Sequence, residues 1–144
     1  MRSRQSPVLC LLLFALAACA RSGTWVDDPK NFQRAWGQSP PADVHIRHSW
    51  YWRSLHFTRE EAYYFEFGRN PDLMRGFIVE NRLLRIDPEA SINLPKYSCF
   101  ERPTWFAPKP IGDYIAWVAP PDASRAVVLQ DRMTGDFFLA GCQI

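Results

Sequence analysis

YIAWVAPPDASRAVVLQDRMTGDFFLAGC, residues 114–142, carries the clearest structural signal in the chain. Tyr114 to Ala119, Ala126 to Asp131 and Asp136 to Cys142 are short runs rich in aromatic and β-branched residues, each of strand and not helix length. Arg132-Met133-Thr134-Gly135 joins the last two as a hairpin connection. The reading is three consecutive strands, which predicts an antiparallel sheet in the C-terminal third.

Upstream, residues 43–53 alternate as a strand does. Val44, Ile46, His48, Trp50 and Trp52 share one parity, and His45, Arg47, Ser49, Tyr51 and Arg53 the other. Residues 61–67 read as a second strand with Tyr63, Phe65 and Phe67 on one face, forming a hairpin with the first. Two helices are predicted around this hairpin. Asp28-Pro29 starts a short one over Lys30 to Trp36, stopped by Gly37, with Phe32 and Trp36 four apart on one face. Asn70-Pro71-Asp72 starts the other, whose spacing runs through Leu73, Met74, Phe77, Ile78, Asn81 and Leu84 despite a helix-weakening Gly76. From Ile86 to Gly112 the chain is irregular, with prolines at 88, 95, 103, 108 and 110, yet Tyr97, Phe100, Trp105 and Phe106 give it reason to pack down. The expectation is an α+β domain: an antiparallel sheet of about five strands, two helices on one side and a long pinned loop.

The first residues carry an address. Arg2 and Arg4 precede an apolar run of nine residues, Val8 to Leu16, far short of the ~20 that cross a bilayer. Leu16-Ala17-Ala18-Cys19 resembles the lipobox of bacterial lipoproteins. The resemblance covers residues 1–19 alone. It implies removal of residues 1–18, a diacylglycerol on the Cys19 thiol and a further acyl chain on the new amino terminus. Ala20, where an Asp could stand, implies the outer membrane. Ala18-Cys19-Ala20 also fits ordinary secretory cleavage, which would release a soluble chain at Arg21. On the lipoprotein reading residues 19–24 are a lipidated tether and 25–144 a single domain. Several acyl chains make the anchor stable, and Ala20 to Thr24 reaches ~17 Å at most.

With Cys10 removed and Cys19 lipidated, Cys99 and Cys142 remain, and two thiols in an oxidising compartment read as a disulfide. Two buried free thiols are the alternative. Without Arg2 and Arg4 the chain holds 15 basic and 15 acidic residues, which counts against a nucleic-acid partner.

Catalytic signals are few. There is no GxSxG elbow, and carboxylates such as Glu60, Glu61 and Glu66 stand in no diagnostic pattern. His45 and His48 fall on opposite faces of a regular strand, and neither Cys99 nor Cys142 has metal-site spacing, so no metal, cofactor or catalytic residue is expected. Two binding surfaces are. One is the Arg47, Tyr51 and Arg53 stripe, since Arg and Tyr are enriched at hot spots. The other is the segment holding Arg102, Trp105 and Phe106, which a disulfide and prolines would preorganise. The expected function is non-catalytic binding, at the membrane's periplasmic face, of an envelope protein or a cell-wall glycan. An inhibitor or immunity-type lipoprotein and a small envelope hydrolase are the alternatives.

Overall fold

The C-terminal strands form the expected meander and sit inside a larger sheet. The computed structural model describes residues 22–55, 60–86, 99–121, 123 and 125–143. The signal segment, Cys19 and the loop residues 87–98 with Tyr97 lie outside them, as does His56, the third histidine of the chain. The strands are β1 (Gly23–Val26), β2 (Ile46–Arg53), β3 (Glu61–Phe67), β4 (Leu84–Ile86), β5 (Tyr114–Val118), β6 (Arg125–Asp131) and β7 (Phe137–Gln143). The helices are α1 (Asn31–Trp36) and α2 (Pro71–Glu80). All seven strands join one sheet in the order β1-β2-β3-β7-β6-β5-β4, with every pairing antiparallel. The fold is therefore α+β, with seven strands where about five were expected.

Both additional strands are edges. β1 has four residues and begins at Gly23, inside the stretch read as tether. β4 has three, and it takes Leu84 from the helical pattern, because α2 ends at Glu80 and the Asn81 side chain closes the turn by donating to the Phe77 carbonyl at 2.8 Å. The start of α2 follows its sequence signal, whereas α1 begins at Asn31, past the expected Asp28-Pro29 cap, and its N-cap residue Lys30 makes no side-chain cap bond. Asn70 Oδ1 accepts from the Leu73 amide at 3.0 Å with Pro71 in the first turn, and Gly37, at φ 73°, ends α1 in the left-handed conformation that glycine takes without strain. None of the described helices is long and apolar enough to cross a membrane.

The sheet has a core on each side. Phe65, Phe67, Val128, Phe137 and Leu139 point toward the helices, where they meet Phe32 and Trp36 of α1 and Phe77 of α2. Tyr64, Val127, Leu129, Phe138 and Ala140 point the other way, under Phe106 and Ala107. Each large side chain so buried is worth roughly 1.5–3 kcal/mol. Cys99 and Cys142 are joined in a disulfide with Cα atoms 6.1 Å apart, which fastens the loop to β7.

Candidate functional site

A β-bulge in β2 sets the site. Ile46 pairs with Phe67 and His48 with Glu66, so Arg47 is an extra residue on β2. Alternation resets there. Ile46 packs on the helix side and Trp50 on the loop side, although the two share parity in the sequence. Beyond the bulge His48, Trp50 and Trp52 turn to the loop-covered face, while Ser49, Tyr51 and Arg53 turn toward α1.

The loop residues meet those three. Phe100, next to the disulfide, packs its ring 5.5 Å from Trp50 and 4.6 Å from Trp52, and its carbonyl accepts the Tyr64 hydroxyl at 2.7 Å. Trp105 stacks on His48, with ring centroids 5.3 Å apart and planes at 23°. Phe106, one residue on, is buried against Tyr64 and Phe138 at 5.0 and 5.6 Å. Phe106 is thus the anchor that positions Trp105. His48, Trp50, Trp52, Phe100 and Trp105 are all partly exposed, and together they form an aromatic shelf along the β1–β2 side of the sheet. From Trp52 to His48 the shelf extends about 13 Å at ~3.3 Å per residue.

Charged groups line its upper end. His48 Nδ1 lies 3.3 Å from Asp27 Oδ2, and the other Asp27 oxygen accepts the Ser49 amide at 2.8 Å. Across the strand pair, burial holds the Glu66 carboxyl above the usual carboxylate range, although His48 and Arg47 pull it the other way. Arg47 leaves the bulge to pair with Asp136 at 2.9 Å and with Glu66 at 3.8 Å. Asp27 and Ala107 both hold positive φ, 49° and 45°, a conformation that costs a non-glycine residue about 1–2 kcal/mol. The surrounding contacts therefore fix the backbone on either side of the His48–Trp105 stack.

The residues singled out in the sequence separate into two groups. Tyr51 and Phe106 are 0% and 1% exposed, so neither offers a contact surface. The Tyr51 hydroxyl donates to Glu61 at 2.8 Å, and burial and that carboxylate push the phenol up to about 12. Arg53 is occupied too, at 3.5 Å from Glu61 and 3.3 Å from the Arg34 carbonyl. Tyr51 and Arg53 therefore belong to a polar layer beneath α1, where the buried Asn31 amide donates to Ser49 Oγ and to the Trp25 carbonyl. That last bond and the Arg34 guanidinium over Trp25, at 4.4 Å, also cover part of the β1 edge. Arg47, Arg102 and Trp105 do reach solvent. Arg102 is exposed beside the loop and contacts the Ala107 carbonyl at 3.5 Å. The structure joins Trp105 to the first long strand, but through His48, which sequence reading placed among apolar residues. Among the described residues no group of three or more His, Cys, Asp or Glu side chains is placed to hold a metal ion. No family model, no curated protein and no solved structure matches this chain.

Proposed function

We propose that this protein is a lipid-anchored envelope lipoprotein, facing the periplasm from the outer membrane, that binds an envelope protein or a cell-wall glycan through its aromatic shelf. The observation that supports this is the convergence of partly exposed rings from β2 and from a disulfide-pinned loop. Tryptophan-rich, water-excluding surfaces with polar groups at the rim suit contact hot spots, and fixing them beforehand lowers the ordering cost of binding. A shelf laid across an enzyme's cleft is also the form an inhibitor would take.

The test is capture from native envelopes, with purified sacculi as the glycan arm. Wild type should retain a component that Trp105→Ala and His48→Ala each reduce at least tenfold, with the unfolding free energy held within ~1 kcal/mol of wild type. Equal capture by all three proteins would remove the shelf from the reading. The hydrolase alternative has one observation in its favour, the placement of Asp27 and Glu66 beside His48. It predicts that Glu66→Gln abolishes turnover of a wall substrate while binding persists.

A further inference from the structure

We propose that the foot of the sheet, where Ser22, Gly23, Trp52 and Leu55 meet, rests on the phospholipid surface that holds the anchor. The inference depends on the lipoprotein reading of Cys19 and adds an orientation to it. Gly23 pairs with Arg53 at the last rung of the β1–β2 ladder, so the point where the tether enters the fold is the same end at which β2 leaves the sheet. Ser22, Gly23, Trp52 and Leu55 line one open cavity of about 350 Å³ there, whose wall Arg53, Ser54 and Glu60 complete with polar groups. Leu55 is 76% exposed, and Trp52, on the rung above, is partly exposed. A protruding aliphatic side chain beside an amphipathic indole is the pairing that suits a membrane interface, where tryptophan sits at headgroup level.

Tether length confines this end to the bilayer. Ala20, Arg21 and Ser22 alone separate Cys19 from β1, so Gly23 lies four residue steps from the anchor, at most about 14 Å at ~3.4 Å per residue. The headgroup layer itself is about 5–7 Å deep on each side, so Gly23 stays at or just above it. The exposed Met133 lies in the β6–β7 turn, about 20 Å away along the seven residues of β7, out of reach in this pose. Two fixed points, the anchor and Leu55, set the tilt of the domain. In that pose Trp52 is at lipid level and the His48–Trp105 end of the shelf is held clear of the surface, open to a partner.

A benzophenone amino acid at Leu55, or at Met133 as control, makes the pose measurable. Each variant is tethered to vesicles of phosphatidylethanolamine and phosphatidylglycerol in two ways: as the lipidated protein purified from cells, and as the chain from Cys19 coupled through that thiol to a maleimide lipid. After illumination, phospholipid adducts on position 55 should exceed those on position 133 at least fivefold in both preparations. Equal adducts, or more at 133, in the coupled preparation would overturn the pose. If cells yield no lipidated protein, the lipoprotein reading fails on that mass measurement alone, and the coupled preparation still decides the pose.

Discussion

Replacing Cys99 with serine should remove about 4 kcal/mol of stability, the chain-entropy value for a closure of 43 residues. Cys99 is the better of the two positions, because it is partly exposed beside Arg125, whereas Cys142 is 5% exposed and a serine there would also bury a hydroxyl. Domains of this size have roughly 5–15 kcal/mol in all, so the loss is a large fraction of the total. With a urea slope of ~2 kcal/mol per molar, the midpoint should fall by about 2 M. The loop should also loosen locally. Without the bond, Phe100 is still held by its ring contacts with Trp50 and Trp52 and by the Tyr64 hydroxyl, but less firmly, so tryptophan emission should shift to the red before global unfolding. Dithiothreitol should reproduce the loss in wild type and leave Cys99→Ser unchanged. A variant within ~1 kcal/mol of wild type, or equally sensitive to reductant, would mean that the bond does not hold the domain together.

Phe106→Ala should cost about 3–5 kcal/mol, as loss of a buried aromatic does, whereas Trp105→Ala should cost much less and act on partner capture; equal costs in urea melts would show that Trp105 is an anchor too. Gly141→Ala should destabilise by about 1–3 kcal/mol, because its Cβ would lie 2.5 Å from the Tyr63 hydroxyl oxygen. Tyr63 also packs 5.4 Å from Trp36, so moving aside would disturb that ring contact; an unchanged midpoint would show that Tyr63 yields to the added methyl. Tyr51 and Tyr63, both pushed up to about 12 chiefly by burial, should ionise at 295 nm well after a phenol near 10. Since the unfolded chain then loses these protons first, stability should fall between pH 10 and 12, at up to ~1.4 kcal/mol per pH unit per tyrosine. Rapid alkaline titration in which all tyrosines ionise together near 10 would contradict this.

The sheet's centre was legible because its strands are long and apolar, and because their connections and caps carry local signals. Asn70-Pro71 and Gly37 act through backbone chemistry that neighbours do not override. The edges were not legible. Gly23–Val26 has too few residues to show alternation, and Leu84 fits a helical pattern as well as it fits a three-residue strand. The face of β2 was misread for a different reason. Both sides of the sheet are covered, so apolar residues continue on one parity through the bulge at Arg47, and nothing in Val44, Ile46, Trp50 and Trp52 marks where the register shifts. Tyr51 and Arg53 consequently looked like a surface, and His48 like part of a core. The partnership of His48 with Trp105 joins residues 57 positions apart, and no local pattern carries it.

Hydroxyl-radical footprinting of the protein in intact envelopes, compared with the purified protein, shows whether a partner covers the aromatic shelf. It requires no knowledge of the partner. Met133, 86% exposed and about 20 Å from the foot, serves as the internal standard. If the aromatic shelf is the contact surface, oxidation of Trp105 and Phe100 relative to Met133 should drop severalfold in envelopes and recover on purification. Oxidation of Trp105 at the same relative rate in both preparations would mean that nothing covers the shelf where the protein works.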